Sequence, residues 1–253
     1  MIVKIDHLAF SSLNLQEDMG TFGSLGYETL FVEKDLRDLE NKRPFMKNFS
    51  GQLDMALMTR KGSISVELLN HGHVAAEDSY LFPVLEGTCL KMDRVRDAFA
   101  AGSGSFVRVK SSLLKADVFV PEGVRPAEFV CNKVVVDADN IERSADFWCS
   151  LGFKRVAAGE QDTHLEFRSP FMEGIYHLYI RKAKPRQDTC LLDSQGFNCI
   201  AFVTTDTDKE RGRFDKLGIE CTEADPFRVN TKDLRIFWLR GPCGEIVELI
   251  GLR

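Results

Sequence analysis

Three short stretches of the chain superpose residue for residue: Ile5-Asp6-His7-Leu8-Ala9-Phe10, Cys131-Asn132-Lys133-Val134-Val135-Val136 and Phe197-Asn198-Cys199-Ile200-Ala201-Phe202. Each combines apolar, β-branched or aromatic residues with a polar residue at the second place, as a largely buried strand does. Each is followed by a polar, helix-compatible stretch ending in a leucine-glycine pair: Leu25-Gly26, Leu151-Gly152 and Leu217-Gly218. The glycine lies 19 positions after the third strand residue, His7, Lys133 or Cys199, in all three cases. A glycine there can adopt the left-handed conformation that closes a helix, and Tyr27, Phe153 and Ile219 then open the next strand. Asp139 or Asn140 supplies an N-cap for the middle helix.

More strand-like runs follow each helix. They are Met55 to Met58 and Ile64 to Leu69 in the first repeat, His164 to Phe167 and Tyr176 to Ile180 in the middle one, and Leu234 to Leu239 and Glu245 to Ile250 in the last. Strand, helix and three strands is therefore the expectation for all three. Residues 79–128 have room for a fourth, eroded copy. Its strand would be Leu81 to Leu85 and its helix Asp93 to Ala100, with Gly102 at the same spacing from Pro83. The fold class expected is α+β, built from tandem βαβββ modules. Their sheets would curve into two cups, residues 1–128 and 129–253, each made of two consecutive modules. An alternative pairing sets module one against module four and gathers His7, Glu67, Cys199 and Glu248 into one site.

Composition narrows the function classes. The chain has 253 residues, 44% hydrophobic and 28% charged, which is the range of globular domains. A net charge of -5 argues against a protein that holds nucleic acid through its phosphates. No apolar run reaches membrane-span length and the N-terminus lacks a signal-peptide core, so a cytoplasmic location without membrane attachment is expected. The seven cysteines show no CxxC pair or finger spacing, which fits reduced, mostly buried thiols. An excess of phenylalanine, 19 against four tyrosines and two tryptophans, suits a core or an apolar pocket.

The Asp6-His7 pair inside an apolar strand, the helices closing on Leu-Gly, and the closing strand Gly244-Glu245-Ile246-Val247-Glu248-Leu249, echoed by Val66-Glu67-Leu68, resemble the vicinal oxygen chelate superfamily. That superfamily comprises glyoxalases, bleomycin-resistance proteins and extradiol dioxygenases, and the likeness runs over nearly the whole chain. It implies a divalent metal in a cup, held by the third residue of each first strand and a carboxylate on each fourth strand. Carried over by position, this gives His7 and Glu67 from module one and Pro83 alone from module two. Modules three and four give Lys133 and His177, and Cys199 and Glu248. His7 and Glu67 are the expected metal ligands for Fe, Mn, Zn or Ni, with no metal at all as the alternative. His71 and His73 follow closely in the sequence, either as further ligands or as part of a solvated turn.

Glu67 and Glu248 are the candidate catalytic bases, placed in different cups. Lys133, His177, Cys199 and Glu248 are the candidate substrate-binding residues. Lys133 puts an ammonium where a ligand belongs, which argues against a metal in the second cup and for a Lys133–Glu248 ion pair there. The run Arg181 to Arg186 reads as an exposed connector. Two functions fit: a metal-dependent lyase, isomerase or dioxygenase acting on a small, partly aromatic molecule, or a protein that binds a metabolite or antibiotic without chemistry. A homodimer is the expected assembly.

Overall fold

In the computed structural model the chain is described throughout except at residues 75–78, 88–94, 102–103, 112, 123–127, 172–173, 186–189 and 253. Module one runs β1 (Ile2–Ser11), α1 (Leu15–Ser24), β2 (Glu28–Arg37), a short 310 helix (Glu40–Phe45), β3 (Gln52–Thr59) and β4 (Ser65–Asn70). Among the described residues module two is all strand: β5 (Leu81–Glu86), β6 (Val95–Ala101), β7 (Gly104–Ser111) and β8 (Ala116–Pro121). Module three is β9 (Val130–Ala138), α2 (Ile141–Ser150), β10 (Lys154–Ala158), β11 (Asp162–Arg168) and β12 (Ile175–Lys182). Module four is β13 (Gly196–Thr204), α3 (Thr207–Lys216), β14 (Glu220–Cys221), β15 (Asp225–Val229), β16 (Lys232–Arg240) and β17 (Ile246–Leu252).

The three repeated strands and the helices after them form as the spacing requires. Asn14, Asn140 and Asp206 cap the helices by accepting the backbone N–H three residues on. Gly26, Gly152 and Gly218 follow the C-caps with φ of 82°, 104° and 70°, the left-handed region open to glycine. Module two departs from the expectation. Its helix is replaced by the strand β6, which pairs antiparallel with β7 from Val95 to Ala101; Asp93, Arg94 and Gly102 lie outside the described residues. Val95, Ala98 and Phe99 recur at helical spacing, but the strand edge offered by β7 takes this stretch up as an extended chain.

The modules do not pair in sequence order. One sheet has the order β14-β16-β17-β13-β1-β4-β3-β2 with β15 on β16, and the other β10-β11-β12-β9-β5-β8-β7-β6. Module one thus joins module four through β1 and β13, and module two joins module three through β5 and β9. The expected cups of consecutive modules are overturned, and the alternative of module one against module four is the arrangement found. The physical reason lies in the joining strands. β1 and β13 are long and apolar and match over most of their length, Ile2↔Thr204 to Ser11↔Gly196, whereas the shorter β5 completes β9. One apolar core links the two sheets, with Phe202 of β13 packed edge-on against Phe153 and Phe167 at 6.2 and 5.9 Å.

Candidate metal centre

Pairing register brings the polar residues of the first sheet together. β1 and β4 run parallel with Ala9 level with Glu67, and β13 and β17 run parallel with Ala201 level with Glu248. The antiparallel seam sets His7 opposite Ala201 and Ala9 opposite Cys199. Small alanines therefore separate the longer side chains, and His7 reaches a glutamate on either side. Its Nε2 lies 3.2 Å from Glu67 Oε2 and 3.4 Å from Glu248 Oε2. All three residues are buried, and their ligand atoms lie within 4.8 Å of one another.

Asp6 orients the imidazole. Its Oδ2 is 3.1 Å from His7 Nδ1, which directs the Nδ1 proton to Asp6 and aims Nε2 at the glutamates. Burial would raise the Asp6 carboxyl, but the His7 hydrogen bond and the Lys4 ammonium, 2.6 Å away, hold it well below the usual carboxylate range. With no metal bound, burial of His7 opposes its charging, while the nearby carboxylates of Glu67, Asp6 and Glu248 override this and raise its pKa well above 6.5. Burial and repulsion from Glu67 raise Glu248, against the pull of His7 and Lys42.

A divalent ion fits this donor set. Among the described residues, the buried atoms His7 Nε2 and Glu248 Oε2 have no hydrogen-bond partner, although a carboxylate oxygen stands close to the imidazole nitrogen. Two like charges about 4 Å apart repel by roughly 4 kcal/mol even at an effective dielectric of 20. Lys4 balances Asp6 and Lys42 balances Asp38, so the buried Glu67 and Glu248 are left to face His7, whose Nε2 proton a divalent ion would displace. A dication neutralises both and satisfies the orphaned atoms at once.

Lys42, which the sequence did not single out, is part of this cup. It comes from the 310 helix between β2 and β3, with Nζ 2.9 Å from Asp38 Oδ1 and 5.5 Å from the centroid of Trp238. Burial disfavours its charge, but Asp38, Glu248 and Glu67 together raise its pKa, so it stays an ammonium. The Asp38/Lys42 spacing of four lets the two charges pair across the turn but does not by itself distinguish a buried pair from a solvated one. Trp238 Nε1 donates to Asn41 Oδ1, fixing the turn that presents Lys42.

Around the triad lies a cavity of about 210 Å³. Phe31, Leu39, Met55, Leu57, Phe227 and Leu234 contribute apolar walls, with Lys4, Lys42 and Lys232 among its polar groups. The remaining expectations sort around it. Cys199 is buried next to the Glu248 backbone and outside the convergent triad; burial, then the fields of Glu248 and Glu67, push its thiol well above 9. His71 is buried rather than in a solvated turn and faces Asp38 Oδ2 at 3.5 Å; His73 hydrogen-bonds Asn48 O at 2.8 Å and lies 3.3 Å from Asp193. Neither joins the triad. Glu67 and Glu248, expected in different cups, share one.

The second cup differs from expectation too. Lys133 does not meet Glu248, which lies in the other sheet; its Nζ is 2.5 Å from Glu86 Oε1 on the neighbouring β5. Val135, two residues after Lys133, is level with Tyr179, and Val84 is level with Phe119. By that register the places of Glu67 and its module-two counterpart hold Tyr179 and Phe119, and His177 stands two residues earlier in β12. Phe82, level with Val135, rather than Pro83, occupies the histidine's place in module two. Phe82, Phe119, Val135 and Tyr179 are buried together in a separate apolar cluster. Arg181 is no connector residue: it lies in β12 and its Nε donates to Asp137 Oδ1 at 2.8 Å. Arg186 lies outside the described residues.

No protein-family model matches the sequence, and no curated protein matches it. Solved structures do. Glyoxalase I from Zea mays superposes with a TM-score of 0.64 at 13% identity over 98% of this chain and 92% of that one. A proposed dioxygenase from Bacillus subtilis subsp. subtilis str. 168 superposes with 0.65 at 10% identity over 99% and 85%. The fosfomycin resistance protein FosX of Listeria monocytogenes, solved with Mn(II) and sulfate, matches 52% of this chain and 91% of its own at 14% identity, with a TM-score of 0.38. The chain therefore has the fold of glyoxalase I and of that dioxygenase. Among the described residues no helix is long and apolar enough to cross a membrane.

Proposed function

On this fold we propose that the first cup is the active site of a metal-dependent enzyme acting on a small, partly apolar molecule with adjacent oxygen atoms. The observation that carries it is the convergence of His7 Nε2, Glu67 and Glu248 with two of their buried atoms unsatisfied. His7, Glu67 and Glu248 would hold the ion, and Asp6 would fix the histidine tautomer. When bound, the ion supplies Lewis acidity toward the substrate's vicinal oxygens. Lyase, isomerase and dioxygenase chemistry all start from that polarisation.

The chain's own groups do the rest. Phe31, Met55, Leu57 and Phe227 exclude water from one side of a bound molecule and favour an apolar or aromatic body. Lys42, held charged by Asp38, stands ready to balance an oxyanion that develops above the glutamates. Glu67 and Glu248 are the groups placed to take a proton from the substrate. Cys199 adds bulk and a protonated thiol beside Glu248 rather than a nucleophile.

The test is a titration of the Co(II)-loaded protein with 4-nitrocatechol, a coloured vicinal-oxygen probe, in a His164→Leu, His177→Phe background that removes the histidines of β11 and β12. A stoichiometric shift of the catecholate absorption that vanishes in Glu248→Gln supports the reading. Absence of a shift, or one that persists in Glu248→Gln, overturns it and leaves a cup that binds without metal chemistry.

A further inference from the structure

We infer that the second sheet carries its own divalent transition-metal site, formed by His164, Glu166 and His177. Their ligand atoms lie within 4.8 Å of one another, the same convergence found in the first cup, but in a different part of the fold. The three sit on one face of the antiparallel pair β11 and β12. Glu166 is directly opposite His177, and His164 is two residues along from Glu166, opposite Tyr179. Strand alternation sends Thr163, Leu165 and Phe167 into the core and leaves His164 and Glu166 on the other face. Register alone thus builds a cross-strand donor set, with no dependence on the first-strand positions that build the other centre.

Each donor is held in place. The His164 ring stacks on Tyr179 at 4.6 Å and 14°, and its Nε2 lies 3.0 Å from His177 Nδ1. His177 Nδ1 is 3.6 Å from Glu166 Oε1, beyond useful hydrogen-bond range, while Glu166 Oε2 accepts from Arg168 at 3.1 Å. One oxygen is anchored by Arg168 and the other stands 3.6 Å from the His177 ring nitrogen. Lys133, next to His177 across β12, is the charge that would repel a cation. It is drawn off by Glu86 at 2.5 Å, so the local sum, with Glu166 and the neutral rings, does not oppose a dication. Two imidazoles and a carboxylate suit zinc, iron(II), cobalt or nickel rather than magnesium or calcium. The site is half-exposed, which leaves coordination positions open to water or an added ligand.

The experiment isolates this site from the first. Protein carrying Glu67→Gln and Glu248→Gln is titrated with Co(II), read by its visible ligand-field absorption, and then competed with Zn(II). One tight equivalent is expected to remain and to be displaced by zinc. It should weaken by about a hundredfold or more in His177→Phe, and likewise in Glu166→Gln, which spares the ring packing. No residual equivalent, or one that neither substitution weakens, overturns the inference, whatever happens at the first cup.

Discussion

The two sheets use one backbone plan and fill it differently. In the first, the four places that face one another across the seam hold His7, Glu67, Cys199 and Glu248; in the second they hold Phe82, Phe119, Lys133 and Tyr179. The first keeps an open cavity above three buried donors. In the second, Phe82, Phe119 and Tyr179 close on one another, and Phe106 packs on Tyr179 with centroids 5.0 Å apart. Backbone register makes a place where four side chains must meet, and side-chain chemistry alone decides whether it becomes a polar cup or a piece of core. Burying charge is costly unless it is compensated, so the polar version implies a cation and the apolar version needs none.

The sharpest way to break this contrast is to remove the internal cation of the first cup. Lys42→Met leaves Asp38 buried without its partner and should destabilise the fold by about 3–5 kcal/mol in chemical denaturation. Adding Asp38→Asn should recover part of that loss. A Lys42→Met protein as stable as the parent would show that the pair is not a structural need of the cup.

A smaller effect is expected from pH. Burial, with the Lys42 charge, pushes the His71 pKa down to about 4. The folded protein therefore prefers the neutral ring, and the unfolded chain takes up the proton first as pH falls. Stability from this residue is complete above about 6.5 and is lost between 6.5 and about 4, up to about 3 kcal/mol. Urea midpoints at pH 7.5 and 5 should converge in a His71→Gln variant. An unchanged pH slope would place the titration elsewhere.

Asp6→Asn tests the orientation of His7 without touching a ligand. It should weaken metal binding in the first cup by about 10–100-fold, read by competition with a coloured chelator. The smallest effect belongs to the second cup. Lys133→Met removes a partly buried pair with Glu86 that is more open to water than the Lys42–Asp38 pair, and a loss of about 1 kcal/mol is expected there. A loss as large as that at Lys42 would erase the distinction between the cups.

The fold was legible because a repeat multiplies weak signals. A strand, a helix and a Leu-Gly stop recur at one spacing around Gly26, Gly152 and Gly218, where the backbone conformation itself selects glycine. Module pairing was not legible, since β1 and β5 are both apolar and either could meet β13 or β9 by pattern alone. For the same reason Glu67 and Glu248 looked like residents of different cups. His7 and Glu67 could be picked out by position, but Lys42 could not. It lies in the polar stretch Asp38-Leu39-Glu40-Asn41-Lys42, which reads as a solvated turn until the 310 helix folds it over Trp238. The assignment of His177 to a carboxylate's place failed by two residues along one strand, a shift that only strand register reveals.

The central claim is that His7, Glu67 and Glu248 hold one divalent ion. Its most direct test is inductively coupled plasma analysis of protein purified without chelator, then reconstituted with Mn(II), Fe(II), Zn(II) or Ni(II), in a His164→Leu, His177→Phe background that removes the second cluster. One equivalent per chain, lost in His7→Ala and in Glu248→Gln, is the predicted result. A chain that holds no ion after reconstitution, or holds it equally well without His7, would contradict the account.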